Sequence, residues 1–192
     1  MDRGVVIGHV NDKREWIVLD ALAPIILANT KGCVVDIGAG MSTEILGKWA
    51  ERYNKTQITC DSSKKRLNSI GPLHSKHSLH HGKSVPGFIN TFKATAREIP
   101  ALVFLDGCHE YEVISAEFKC FIKMLEPGGV IFLHDTHPVE PLKGPGKGCG
   151  EVWRVAAGIE ARDDLWSFAW PYTAEYHGLM MVMKKWDRTA QK

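Results

Sequence analysis

Two short stretches carry the residues best suited to chemistry. FLDGCHEY spans Phe104 to Tyr111 and FLHDTHP spans Phe132 to Pro138. In the first, Asp106 precedes His109 by three positions; in the second, His134 directly precedes Asp135. Carboxylates are hard oxygen ligands, so Asp106 and Asp135 suit a divalent cation such as Mg2+ with waters completing its shell. Imidazole at His134 suits Mg2+ poorly and favours Mn2+, Fe2+ or Zn2+. His109 has an ordinary pKa suited to general-base work near neutrality. A base and a cation together activate a hydroxyl: one takes its proton, the other lowers its pKa and holds it in line.

Both stretches follow an apolar, strand-like run, and the pattern recurs. CVVDIG carries Asp36, QITCD ends at Asp61, ALVFLDG carries Asp106 and VIFLHD ends at Asp135. As strands of one parallel sheet, these runs set all four acids along one edge, where ligands bind in doubly wound folds. Asp also starts loops and caps helices, which accounts for one or two of the four. In VVDIGAGMST, Gly38 and Gly40 let the backbone approach a ligand, but Thr43 stands where a dinucleotide fingerprint needs its third glycine. Asp36, two residues before Gly38, is ill placed beside a pyrophosphate and suits a positive group. Asp61 falls one βα unit further on, where a carboxylate takes ribose hydroxyls. A ligand with a ribose, a positive charge and no phosphate fits both; S-adenosylmethionine is one.

The elements that must hold these residues alternate along the chain. A helix starts near Asp12, with Glu15 completing a capping box, and runs to Asn29 with a kink at Pro24. Ser42 or Thr43 caps a second helix with Ile45, Leu46, Trp49, Ala50 and Tyr53 on one face. KKRLNSI is a short helix ended by Gly71, HSLHH a third strand, and residues 86–98 a helix. Tyr111 to Leu125 forms a helix with a broad apolar face, broken by EPGG. EVWRVAAGIEA is a last helix, and WSFAW and YHGLMMVMKK are two final strands. Residues 136–150, rich in Pro and Gly, read as a mobile surface loop over the site. The expected architecture is an α/β three-layer sandwich with a mostly parallel sheet.

Composition narrows the field. The 192 residues suit one domain, 1–192, and 44% hydrophobic with 24% charged residues is ordinary for a globular chain. A net charge of +2 gives no field toward nucleic acid or a membrane surface. The longest apolar stretch, Trp16 to Ala28, contains Asp20 and Pro24 and is too short to span a bilayer. MDRGVVIGHV lacks a signal-peptide pattern, and the five cysteines form no CxxC, so reduced thiols and a cytoplasmic location are expected. His74, His77, His80 and His81 read as partly exposed loop histidines rather than a metal site. His137 lines the pocket or faces solvent. Trp170 and Tyr172 are candidates for an acceptor pocket whose specificity segments are Met1 to Lys13 and 136–150. That pocket is shallow or completed by a second subunit of a homo-oligomer.

VVDIGAGMST resembles motif I of class I S-adenosylmethionine-dependent methyltransferases, and TCDSS resembles their acidic ribose-binding turn. The spacing onward to LVFLDG and LEPGGVIFLHD matches that fold over nearly the whole chain. The resemblance implies a Rossmann-like seven-stranded, mostly parallel sheet with the last strand antiparallel. It implies S-adenosyl-L-methionine held by Asp36, Gly38, Ala39, Gly40, Ser42, Thr43, Asp61, Ser62 and Asp106, with Lys83 and Ser84 of HHGKS near the adenine. The D-G-x-H segment is similar to cation-dependent small-molecule and sugar O-methyltransferases, relatives of the catechol and caffeoyl-CoA enzymes. That likeness implies a divalent metal, Mg or Mn, on Asp106, His134 and Asp135, catalysis by His109 with Asp106, and a small-molecule hydroxyl as acceptor. His134 departs from it by standing where the family has an acid, and the catechol-type third ligand maps to Thr136. Two other readings stay open: a Rossmann-type nucleotide-dependent oxidoreductase, opposed by Thr43 and Asp36, and a non-catalytic relative that binds the cofactor.

Overall fold

The computed structural model describes residues 14–95, 98–138, 140–171 and 177–185. The expected helix start at Asp12, the segment Met1 to Lys13 and Tyr172 lie outside them. Helix α1 (Arg14–Asn29) leads into β1 (Cys33–Ile37), α2 (Met41–Arg52), β2 (Gln57–Asp61), α3 (Lys64–Ile70) and β3 (His77–His81). A π-type turn, Ser84–Phe88, opens into α4 (Ile89–Thr95), so this helix occupies only part of the expected 86–98. Next come β4 (Pro100–Leu105), α5 (Tyr111–Met124), β5 (Val130–His134), α6 (Val152–Glu160), β6 (Leu165–Trp170) and β7 (Leu179–Lys184).

The strands form one seven-stranded sheet in the order β3-β2-β1-β4-β5-β7-β6. The first five are parallel; β7 runs antiparallel between β5 and β6. This is the Rossmann-like fold expected from the sequence. Strand alternation assigns each core residue to a face. Val34, Leu102, Phe104 and Phe132 meet Leu19, Ala23 and Leu27 of α1 and Leu46 and Ala50 of α2. Val35, Val103, Leu105, Ile131 and Leu133 meet α4, α5 and α6 through Phe92, Phe118, Phe121 and Val155. Pro24 lies within α1, which the structure assigns as one helix through that residue.

The sheet's C-terminal edge is tightest between β1 and β4. Asp106 N–H donates to the Ile37 carbonyl at 2.8 Å, and Gly38 N–H to the Cys60 carbonyl at 2.9 Å. Gly38 has φ 98°. A Cβ there would lie 2.1 Å from the Asp106 carbonyl oxygen. Both the conformation and the space demand glycine. Gly40, extended at φ −177°, has open space around it. Gly38→Ala is therefore expected to cost about 2 kcal/mol or more, and Gly40→Ala about 1 kcal/mol or less, as read by urea unfolding; equal effects would refute the close approach.

Candidate functional site

The β1–α2 turn is held from beneath. Asp36 has no exposed surface. It shares the sheet face of Val34, and the register sets Thr59 of β2 beside it. Ser42 Oγ donates to its Oδ1 at 3.0 Å and Thr43 Oγ1 to its Oδ2 at 2.6 Å, with Thr59 Oγ1 at 3.4 Å. Asp36 thus serves the turn and does not face the cleft, which corrects its reading as a partner for a positive ligand. Burial pushes its pKa up to about 7 against the lowering by these hydroxyls. Ser42 and Thr43 are likewise interior; the cap of α2 is Gly40, whose N–H donates to Thr43 Oγ1 at 2.9 Å.

The chain of hydrogen bonds continues outward. Leu73 N–H donates to His77 Nδ1 at 3.1 Å, which leaves the proton on Nε2 to donate to Thr59 Oγ1 at 2.9 Å. His77 is buried rather than a loop histidine, and burial lowers its pKa to about 4. His74 meets Gln57, His80 packs on Phe88 and His81 meets the Ser62 carbonyl.

A cleft of about 350 Å3 opens above the turn. Gly38, Asp61, Ser62, Lys83 and Ser84 line it as expected; Asp36, Ala39, Gly40, Ser42, Thr43 and Asp106 do not. The Asp61 carboxylate accepts from Ala39 N–H at 2.8 Å, Ser63 N–H at 2.6 Å and the Arg66 guanidinium at 3.1 Å. Ser84 Oγ donates to the fully buried Glu117, whose pKa burial pushes up to about 7. Arg66, Glu110 and Val113 also line the cleft and were not among the expected site residues, since a charged or apolar residue on or beside a helix carries no distinctive signal.

Beside the cleft lies the polar cluster. Consecutive strand residues point to opposite faces, yet His134 and Asp135 both reach Asp106. Asp135 makes this possible with φ 62°, a left-handed turn that Asp tolerates. His109 Nε2 lies 3.4 Å from Asp106 Oδ1 and 3.2 Å from Asp135 Oδ2. His134 Nδ1 lies 3.4 Å from Asp106 Oδ1 and 3.1 Å from Asp135 Oδ1. His177, absent from the sequence-derived site, sets Nδ1 2.7 Å from Asp135 Oδ1. Glu15 is a site neighbour, its Oε1 3.7 Å from His134 Nε2, while Trp16 stacks on the His134 ring at 5.3 Å.

These groups set one another's charge. Burial raises the Asp135 pKa, but His134 and His177 outweigh it and hold the acid far below its usual range. Asp106 follows the same balance with His109 and His134. Asp106 raises the His109 pKa against burial, and Asp135 that of His177. His134 is pushed down by burial and further up by Asp106, Asp135 and Glu15. Asp135 Oδ1 and both His134 nitrogens are nevertheless shielded from solvent without an aligned hydrogen-bond partner. Two carboxylates facing imidazole nitrogens need a cation among them, a proton or a metal. The residues fit a divalent ion: Asp106, His109 and Asp135 form one group within ligating range, and His134, Asp135 and His177 another.

Residues 148–151 are built into the site. His109 Nδ1 donates to the Gly148 carbonyl at 2.8 Å, Glu151 N–H donates to the His109 carbonyl at 2.8 Å, and Cys149 is buried. Thr136 Oγ1 is engaged with His137 Nδ1, and His137 Nε2 approaches Glu160 at 3.6 Å, outside the cluster. A second groove, of about 530 Å3, runs between Cys108–Glu112 and 145–154, past Tyr111, Lys147 and Arg154. Trp170 instead packs toward the α1 side of the sheet.

A model of the methyltransferase domain matches residues 35–136, just over half of the chain. The chain belongs to this methyltransferase family. No curated protein matches its sequence. Among solved structures, cofactor-bound Rv0187 from MTB aligns at TM-score 0.66 with 16% identity, over 94% of this methyltransferase and 82% of that chain. CalS11, a TDP-rhamnose 3'-O-methyltransferase of calicheamicin biosynthesis, aligns at 0.56 with 12% identity, over 74% and 68%. MycE from the mycinamycin pathway, in complex with Mg and SAH, aligns at 0.62 with 16% identity, over 92% of this chain and half of its own. At these identities the likeness is one of fold. No helix among the described residues is long and apolar enough to cross a membrane.

His77 supplies a test of the turn's support. Between pH 6.5 and about 4 the unfolded chain binds a proton that the folded chain refuses. Its stabilisation is present above pH 6.5 and lost as pH falls. From pH 7.5 to 5.0 the wild type should lose about 2 kcal/mol more than His77→Gln in urea unfolding; parallel pH profiles would refute this linkage.

Proposed function

We propose that this methyltransferase moves the methyl group of S-adenosylmethionine to a hydroxyl of a small molecule, a sugar being the favoured class. One observation carries the reading. The loop 106–109 belongs to both halves of the site: Gly107 and Cys108 line the cleft, while Asp106 and His109 enter the polar cluster. A donor in the cleft and a hydroxyl at the cluster then meet across four residues of one loop.

The donor is bound by the cleft's own groups. The Asp61 carboxylate faces the ribose hydroxyls, with Ser62 beside it; Lys83 and Ser84 border the adenine. Gly38 leaves room for the backbone to approach, while Asp36, Ser42 and Thr43 hold the turn from below. The groove past Tyr111 and Arg154 admits the acceptor. CalS11 supports a sugar acceptor through fold likeness, and MycE, with Mg and SAH, supports the metal and the donor in the same way.

A divalent cation on Asp106, His134 and Asp135 would lower the acceptor hydroxyl's pKa and hold it in line. His109 does the proton work. Its Nδ1–H is committed to the Gly148 carbonyl, so Nε2 presents a lone pair on the cluster side. The adjacent carboxylates make it a stronger base. As the hydroxyl oxygen bonds to the methyl carbon, its proton passes to Nε2. The S–CH3 bond breaks and its electron pair stays on sulfur, leaving S-adenosylhomocysteine.

Calorimetry with S-adenosylmethionine tests the donor; no binding at high micromolar ligand would sink the reading. His109→Ala should lower kcat by about 10²- to 10⁴-fold while leaving donor affinity unchanged. Unchanged turnover would mark a non-catalytic His109. Chelator treatment should abolish transfer, with recovery on adding a divalent ion. Full activity after chelation would remove the metal and leave His109 acting alone.

A further inference from the structure

We propose that His177 is a metal ligand, completing with His134 and Asp135 an imidazole-rich centre that selects a borderline transition ion over Mg2+. The inference rests on the reading of the cluster as a metal centre and adds a residue from outside the D-G-x-H and H-D segments.

His177 precedes β7, and the sheet fixes its backbone. The β5–β7 pairing aligns His134 with Leu179. The ladder continues past the strand ends: Thr136 N–H donates to the Gly178 carbonyl at 3.4 Å and His137 N–H to the His177 carbonyl at 2.9 Å. This holds the His177 side chain beside Asp135, whose two oxygens divide their partners. Oδ2 turns to His109 at 3.2 Å; Oδ1 turns to His177 at 2.7 Å and His134 at 3.1 Å. One ligand atom from each of His134, Asp135 and His177 lies within 4.8 Å of the others.

A second observation points to an ion at this spot. Asp135 is 2% exposed, and its Oδ1, like His134 Nδ1, has no aligned hydrogen-bond partner. An ion between them satisfies both. On the far side of His134 the Glu15 carboxylate lies 3.7 Å from Nε2, an anion beside the ring that strengthens it as a donor. The expected oxygen donor, Thr136, is spent on His137. Two imidazoles and one carboxylate suit Mn2+, Fe2+, Co2+ or Zn2+; Mg2+ demands an oxygen shell.

The test uses metal-stripped full-length protein titrated with Zn2+, Mn2+ and Mg2+ by chelator competition, alongside the visible spectrum of the Co2+ form. Zn2+ should bind about 100-fold or more tightly than Mg2+. His177→Ala should weaken Zn2+ and Mn2+ by about tenfold or more and shift the Co2+ bands, and His177→Asp should narrow the preference over Mg2+. Affinity for S-adenosylhomocysteine should stay unchanged in both variants, which establishes that they fold. An unaltered Co2+ spectrum and Zn2+ affinity in His177→Ala would overturn the role of His177 while leaving metal assistance standing. No ion bound by the wild type, with S-adenosylhomocysteine still bound, would overturn both, and the cluster would be a proton-bridged one.

Discussion

The ends of β1 and β4 meet with no room for a side chain between them. Gly38 lies against the Asp106 carbonyl, and Asp106 N–H returns a hydrogen bond to Ile37. The cleft floor and the loop that carries Asp106 and His109 are thereby one rigid unit. A displacement of the turn is a displacement of the loop. A backbone-to-backbone contact is a stiff way to fix the cleft and the loop carrying Asp106 and His109 relative to each other. Gly150 repeats the device on the far side: a Cβ there would meet the His109 carbonyl at 2.4 Å, so the backbone at Gly150 closes against the same loop.

The buried charge of the cluster is the second constraint. Asp106 and Asp135 are drawn together with three imidazoles at the sheet edge, where desolvation alone would favour their neutral forms. Each acid keeps its charge only through positive or proton-donating neighbours, and each histidine is held by acids. Removing one member leaves an uncompensated group, so the members act as a unit rather than as a sum. The neutral contacts serve the same end. Trp16 stacks on His134 and shields it, and the Gly148 carbonyl fixes the His109 tautomer.

The sheet was legible because its central strands are short apolar runs, four of them with an Asp at or next to the end. Asp61, Asp106, Asp135 and His109 stood out as candidates for the same reason: Asp61 closes β2, Asp106 and Asp135 directly follow β4 and β5, and His109 lies in the loop after β4. Asp36 was misread because it lies one residue earlier, inside β1, where alternation turns it beneath the turn toward Ser42 and Thr43. Residue type suggested a ligand; register made it a support. His77 was misread in the opposite sense, as a loop residue, because its burial depends on β3 pairing with β2. Glu15 reads as a helix cap until α1 is laid across the end of β5.

His177 shows why the rest stayed hidden. In a parallel sheet, functional residues follow the strands, and a search of strand ends finds them. β7 runs the other way. Its first residue, Leu179, pairs with the last residue of β5, so its start lies at the ligand edge. β6 ends there too, with Trp170 opposite Leu179. His177, just before β7, therefore enters the same space as residues following β5. A reversed strand brings to the cluster a side chain from some forty positions away in sequence, and only the pairing of β5 with β7 reveals it.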